Sequence, residues 1–241
     1  MILLIDIGNT NTVCAIHNGQ EYINYERIEL KNTIQKKIKE MRIYDIQDIA
    51  ISSVVPELTQ YFITILSKEF NIKPFIISYK NAGLKLKVDS SKEVGNDRLC
   101  NIRAAIALTK KNCLIIDFGT ATTFDIVKNG VYEGGVIAPG IKLSIKNLSQ
   151  STALLPMFDL KNQQKSYGKN TIDALNSGFI WGYEGLINNI INKITKNWKM
   201  NYKIILTGGY ANLFKKIIKR KSIVDQDITI KGASRVYREF L

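Results

Sequence analysis

The stretch "LLIDIGNTNTVCAIHNG" at residues 3–19 returns in altered form as "LIIDFGTATTFDIVKNG" at 114–130. Asp6 answers Asp117, Gly8 answers Gly119, Thr12 answers Thr123, and Asn18-Gly19 answers Asn129-Gly130, each pair 111 residues apart. In both copies an apolar run ends in an aspartate. Small hydroxyl and amide residues follow, then a second apolar run closed by Asn-Gly. The pattern reads as two buried strands joined by a polar bend, and Asn-Gly is the strongest local signal for a type I′ hairpin. A chain that repeats this device is built from two like halves.

The length of 241 residues, 45% of them hydrophobic, suits one large domain or two of about 120 residues. The internal repeat favours two, 1–113 and 114–241. No apolar run approaches the roughly 20 residues a membrane span needs. The opening "MILLIDIG" has no basic region and no small-residue cleavage site, so a strand is expected there and not a signal peptide. Cys14, Cys100 and Cys113 are odd in number and lack metal-ligand spacing, which suits reduced core thiols and a cytoplasmic setting. The single histidine, His17, stands beside an expected hairpin turn, which argues against a zinc site or a Ser/His/Asp triad. The net charge of +13 attracts anions: phosphorylated substrates, nucleic acid or acidic membranes. The lysines are scattered, and the one dense patch, "KKIIKRK" at 215–221, reads as the solvated face of a helix. It carries no aromatic interleaving of the kind single-strand binders use, so no nucleic-acid partner is expected.

After each hairpin comes a third strand, "EYINYERIEL" at 21–30 and "VYEGGVIAP" at 131–139. Helices and strands then alternate. In the first half the pattern predicts helices over 33–42 and 57–70, strands over 49–55 and 73–78, and a helix over 96–111. In the second half it predicts helices over 141–149, 171–198 and 211–220, strands over 202–209 and 222–225, and a terminal helix over 234–241. The polar segment 151–170, with Pro156, is expected to be irregular. Three antiparallel strands followed by alternating helices and strands describe an α/β fold with a mixed sheet covered by helices.

The paired bends carry the chemistry. Glycine after the aspartate allows a ligand close to the backbone. Thr and Asn side chains with exposed N–H groups form an anion-binding concavity, and the aspartate can organise a hydrated cation that neutralises phosphate. Two such bends facing one another would grip a polyphosphate. One Asp-x-Gly-Thr turn alone is ordinary turn chemistry; two with matching hairpins are not. There is no G-x-x-x-x-G-K-[ST] and no G-x-G-x-x-G after a strand, so neither a P-loop nor a dinucleotide fold is indicated. "LTGGY" at 206–210 ends a strand and opens a helix, so Gly208 and Gly209 could seat an adenosine. In "EVGNDRLCNIRAA" at 93–105, Asn96 or Asp97 could simply cap a helix. Alternatively Asp97 accepts a proton while Arg98 holds an anionic or carbonyl group of a substrate and keeps the neighbouring carboxylate ionised. Gly178, Gly182 and Gly185 make one bare face of the long helix. At about 1 kcal/mol each relative to alanine, they imply close approach of another backbone or ligand, or a tight intramolecular helix crossing.

"DIGNTNT", "ISSVVP", "EVGNDR", "DFGTATTFD", "GGVIAPG", "NTIDALNSG", "GYEGLI" and "LTGG" occur in this order over essentially the whole chain, which resembles the type III pantothenate kinases. The resemblance implies two ribonuclease-H-like domains in a duplicated actin-like architecture of the acetate and sugar kinase, Hsp70 and actin superfamily. It implies ATP-dependent phosphorylation of pantothenate in coenzyme A biosynthesis, and a homodimer. By resemblance, Asp6, Ile7, Gly8, Asn9, Thr10, Asn11, Thr12 and Val13 would hold the ATP phosphates, assisted by Thr120. Gly95, Asn96, Asp97 and Arg98 would hold pantothenate, with Asp97 the general base. Thr171 would reach pantothenate across the dimer. Asp117 would bind a monovalent cation, potassium or ammonium, with magnesium accompanying ATP. Two departures stand out. Asn96 replaces the alanine common in Gly-Ala-Asp-Arg. Val88, followed by "DSSKEV" in place of the usual Asn-Pro pair, stands where many members have a substrate-contacting tyrosine. The second change is expected to loosen pantothenate binding without touching the base. The competing reading, prompted by the basic charge, is a non-catalytic regulatory or transcription accessory protein on the same fold. Such a protein has no need of Asp6, Asp97 and Asp117, and all three are here.

Overall fold

The computed structural model describes residues 1–28, 33–109, 111–162 and 165–240. Its contacts divide the chain into two compact units. One comprises Met1–Lys110, Gly130–Gly134 and Asp227–Leu241, the other Lys111–Asn129 and Gly135–Gln226.

In the first unit, β1 (Ile2–Ile7), β2 (Thr12–His17), β3 (Tyr22–Ile28), β4 (Asp48–Ser53) and β5 (Phe75–Ile76) form a sheet in the order β3-β2-β1-β4-β5. The β1–β2 and β2–β3 pairs are antiparallel, whereas β4 runs parallel to β1 and β5 parallel to β4. Helices α1 (Ile34–Glu40) and α2 (Pro56–Phe70) cover one face. There Leu3, Ile5, Ile7, Ile51, Ile38, Phe62 and Leu66 make a single core. Pro56 starts α2 where a missing N–H costs nothing, and Asn71, left-handed at φ 55°, ends it. The short strand β6 (Lys85–Leu86), which the sequence pattern does not predict, precedes α3 (Asn96–Thr109).

The second unit repeats the plan. Strands β7 (Cys113–Phe118), β8 (Ala121–Lys128), β9 (Val131–Pro139), β10 (Lys203–Gly208) and β11 (Ser222–Val224) run in the order β11-β10-β7-β8-β9, and β6 pairs in parallel with the start of β9 to complete a six-stranded sheet. With α4 (Ile141–Gln150), α5 (Thr171–Thr195) and α6 (Ala211–Lys215), they enclose a core of Leu114, Ile116, Phe118, Phe124, Ile187, Leu206 and Phe214. The expected mixed sheet, given twice, is therefore what the chain adopts. The described residues of 151–170 form no regular element before α5.

One turn forms as expected, and three local differences have physical causes. Asn129 and Gly130 both take positive φ (51° and 76°), the type I′ turn expected. The first Asn-Gly does not make that turn: Asn18 Oδ1 accepts from Gln20 N and Glu21 N, and Gly19 N donates to His17 Nδ1, giving a longer loop. Helix α6 stops at Lys215, so "KKIIKRK" is an exposed turn anchored by the buried Ile218 and not the face of a helix. The terminal helix α7 (Ile228–Phe240) starts six residues before its predicted start, because packing overrides the weak propensity of "ITIKG". The predicted ends at 29–30, 110–111 and 241 include residues outside those described.

Helix α7 also departs from a division of the chain at 113/114. It follows β11 of the second repeat yet belongs to the first unit, where it lies against α3. Thr229 Oγ1 donates to Asn101 Oδ1 at 2.8 Å, Arg103 pairs with Glu239, and Tyr237 donates to Asp48 Oδ1 at 2.6 Å. Gly232 sits directly on the Cys100 carbonyl, where a Cβ would collide with backbone. Alanine in an open helix would stabilise by about 1 kcal/mol. At this crossing Gly232→Ala should instead destabilise by about 1–3 kcal/mol, read as a lower urea midpoint. A raised midpoint would refute the crossing.

Candidate active site

Asp6 lies between Ile5 and Ile7, both fully buried in the core, so strand alternation turns its carboxylate to the opposite face. On that face its register partner on β4 is Ser52, also fully buried, whose Oγ donates to Asp6 Oδ1 at 2.9 Å. Burial, and then the charge of Asp97, raise the Asp6 pKa to about 7 against the opposing pull of Ser52 and Arg27. Beyond Asp6 the bend is closed by Gly8 N donating to Asn11 O at 3.0 Å. Asn9 and Thr10 are exposed, Asn11 is half-buried, and Thr12 is buried. Ile7 and Val13 have their side chains in the sheet, so at those positions only backbone is available to a nucleotide.

The start of α3 is fixed to the same sheet. Asn96 Nδ2 donates to Ser53 O at 2.9 Å, tying the helix to the end of β4. Gly95 leaves the space that Asp97 occupies: a Cβ there would lie 2.6 Å from Asp97 Oδ1. Asp97 Oδ1 accepts from Arg98 N at 2.7 Å; with Asn96 already helical and Gly95 O accepting from Leu99 N, Asp97 lies within the first turn of α3 and is not its N-cap. Arg98 does pull toward the ionised form of Asp97, as expected, but it is not the largest influence. Burial raises the pKa of Asp97, and the bond from Arg98 N and the guanidinium charge offset that only in part. Arg98 Nη2 donates to Tyr132 Oη at 2.8 Å, with the guanidinium 6.0 Å from the ring centroid. Val88 lies 4.0 Å from where a Gly134 Cβ would be.

In the second unit Asp117 and Thr120 bracket the matching bend. Gly208, at φ +83°, presses on it: a Cβ there would lie 2.6 Å from Asp117 Oδ1 and 2.7 Å from Phe118 N. The bare side of Gly208 is therefore filled by protein, and only Gly209 is open for a ligand. Gly140, which begins α4, packs on the Thr120 carbonyl with no room for a side chain. Thr123 is the cross-strand partner of Asp117, and its Oγ1 is buried with no hydrogen-bond partner among the described residues. A carboxylate beside an orphaned neutral oxygen suits a hard cation of low charge. Among the described residues no three His, Cys, Asp or Glu side chains cluster as metal ligands.

Thr171 is exposed at the first position of α5, whose N-cap Asn170 accepts from Asp173 N at 2.8 Å. It lines an apolar cavity of about 830 Å³ with Pro139, Leu148, Phe179, Gly178 and Gly182. Among the described residues, nothing lies within 4 Å of a Cβ built on Gly178, Gly182 or Gly185. An intramolecular helix crossing is thus not what these glycines serve.

The first unit brings together the 6–13 bend and Gly95–Arg98. The second brings together Asp117 and Thr120 and presents Thr171 separately on α5. Ser52 and Tyr132 join the first group, and sequence reasoning missed both. Ser52 stood in the quoted "ISSVVP", but its pairing with Asp6 is a matter of register; nothing local marks Tyr132.

With this geometry in hand, comparison with known proteins is informative. A curated type III pantothenate kinase from Pelagibacter ubique is 41% identical over 98% of both chains. A crystal structure from Campylobacter jejuni, provisionally named a conserved Baf family transcriptional activator, superimposes at TM-score 0.65 with 22% identity over 98% of both chains. A provisionally named 2-dehydro-3-deoxygalactonokinase from Sinorhizobium meliloti does so at 0.63 with 10% identity over 99% of both. At such identities the two structures establish the fold alone, the duplicated actin-like architecture of sugar kinases. The profile of the type III pantothenate kinases matches residues 2–193, and the chain belongs to that family.

Proposed function

We infer that the chain transfers the γ-phosphoryl group of ATP to the primary alcohol of pantothenate, yielding 4′-phosphopantothenate for coenzyme A synthesis. Beyond family membership, one observation carries this reading: Asp6 of the phosphate bend and Asp97 of the substrate segment lie close enough for one charge to raise the other's pKa. The 6–13 bend receives the phosphates through its backbone and its Asn and Thr side chains, with Thr120 assisting. Magnesium arriving with ATP would face Asp6. Gly95, Asn96, Asp97 and Arg98 receive pantothenate, Thr171 contributes from a second copy of the chain, and Asp97 takes the alcohol proton. Phosphoryl transfer runs through a loose transition state, so alignment and charge stabilisation supply most of the rate. A raised pKa brings Asp97 nearer the working pH of a general base. The regulatory alternative gains support from no residue here, because the Campylobacter likeness concerns the fold.

Asp117 with Thr123 would hold potassium or ammonium, which supplies fixed positive charge near the second bend. A homodimer is supported by the open glycine face of α5, by the exposed Ile172 and Trp181 on the same helix, and by Leu148, Leu155 and Phe179, which line the cavity beside Gly178 and Gly182. Such a concentration of accessible apolar side chains marks an association surface. No helix among the described residues is long and apolar enough to cross a membrane, and three buried free cysteines suit the cytoplasm.

Three outcomes follow. Asp97→Asn keeps the acceptor that serves Arg98 N but removes the base, so kcat should fall about 10²-fold or more with the melting temperature nearly unchanged. In the wild type, turnover should be lost on acidification at a pH above the ordinary aspartate range, since Asp97 and Asp6 must both be ionised and both are raised. Near wild-type turnover by Asp97→Asn, in an ADP-release assay with pantothenate, would send the search for a base elsewhere.

The cation assignment is checked by exchanging salts. Activity should require potassium or ammonium, and Asp117→Asn should lose most of it. Full turnover in sodium alone would remove Asp117 from the role.

Light scattering tests the dimer. The expected mass is about twice 27.3 kDa, and a fully active monomer would contradict the proposed contribution of Thr171.

A further inference from the structure

Arg98 is the one cation of the substrate segment, and the structure gives its guanidinium a dedicated partner. Tyr132 is 2% exposed and is the largest fully buried side chain among the described residues. Its position is over-determined. Tyr132 pairs with Leu86 on β6, and its carbonyl accepts from Lys87 N at 2.8 Å. The following residue, Glu133, forms an ion pair with Lys87 at 3.4 Å. A buried phenol must bring its hydroxyl to a polar partner, and here Arg98 Nη2 donates to it at 2.8 Å while the ring flanks the guanidinium. The β6–β9 pairing thus holds the backbone that carries the ring, and the phenol holds one end of the guanidinium.

A long arginine side chain loses rotamer freedom when it engages a carboxylate, and a partner that has already fixed it removes that loss from the binding step. A guanidinium carries its N–H donors in a rigid fork, so a bond to a fixed phenol constrains where the fork points. We propose that Tyr132 is a positioning residue that aims Arg98 at the carboxylate of pantothenate and so sets preference for an acidic over a neutral acceptor. The proposal rests on the pantothenate reading above and adds to it a determinant of specificity. Tyr132 itself, being buried, acts only through Arg98.

The discriminating probe is pantothenol, which keeps the primary alcohol that accepts phosphate but has a hydroxymethyl group in place of the carboxylate. kcat and KM are measured for both acceptors with the wild type, Tyr132→Phe, Arg98→Lys and the double variant. Wild type should prefer pantothenate. Tyr132→Phe keeps the ring and should lower that preference about tenfold, through KM for pantothenate, with kcat and KM for ATP within about twofold. In the Arg98→Lys background the same change should have no further effect, because residues acting as one unit are not additive. Equal losses on both acceptors, undiminished loss in the Arg98→Lys background, or a wild type that does not distinguish the acceptors would each overturn the proposal. Should Tyr132→Phe fold poorly, Arg98→Lys is read alone: it should lose the same preference, and its retention is equally decisive against the idea. A wild type that phosphorylates neither acceptor defeats the pantothenate reading itself, an outcome separate from these.

Discussion

The parallel pairing of β1 with β4 is the constraint on which the first unit's chemistry depends. It places Ser52 beside Asp6 on the face away from the α1–α2 core, and it brings Ser53 O to the point where Asn96 anchors α3. A shift of one residue would turn Asp6 into the core and Ile7 out of it. The apolar run that surrounds Asp6 therefore does two things. It specifies the register through Leu3, Ile5 and Ile7, and it withdraws the carboxylate from water far enough to raise its pKa to about 7. Ser52 contributes a side-chain hydrogen bond that favours the ionised form. The same strand thus supplies both the burial that destabilises the charge and, through its neighbour, the donor that moderates it.

The duplication is faithful in the sheets and broken in the helices. Five strands recur in one order, with β6 added to the second sheet, and each first strand carries its aspartate next to last. Helices α3 and α7 occupy corresponding places in the two repeats, yet both pack within the first unit. The break has a local cause: Gly232 has no side chain where the Cys100 carbonyl needs the space, and Asn101, buried in α3, takes the hydroxyl of Thr229. The helix carrying Asp97 is consequently backed along its length by the last helix of the chain. This gives the C-terminal residues an influence on the site that their position in the second repeat would not suggest.

Much of this was legible from residues alone. The paired bends, the hairpin at Asn129-Gly130, the long helix and the segment Gly95–Arg98 each follow from periodicity, turn chemistry or motif. What the sequence hid falls into two kinds. Some features are set by register or by a long-range pairing, such as Ser52 on Asp6 and Tyr132 on Arg98, and no local pattern encodes them. Others are competitions whose winner depends on burial. Arg98 beside Asp97 suggested a carboxylate kept ionised; the pull is there, but desolvation is the larger effect on its pKa. "KKIIKRK" carried helix-like composition, yet the chain leaves the helix at Lys215.

Glycine separates the two kinds of site in this protein. Gly95, Gly140, Gly208 and Gly232 are bare because backbone or a carboxylate already fills the place of a Cβ. Each fixes one element against another: Gly95 and Gly208 beside Asp97 and Asp117, Gly140 on the second bend, Gly232 under α3. Gly178, Gly182, Gly185 and Gly209 are bare with nothing of the described chain near them. Three helix glycines on one face forgo about 1 kcal/mol each, and no contact within the described chain returns it. The first set is satisfied by folding. The second is left unfilled by the described chain, and on α5 it is the face proposed above to meet a second copy.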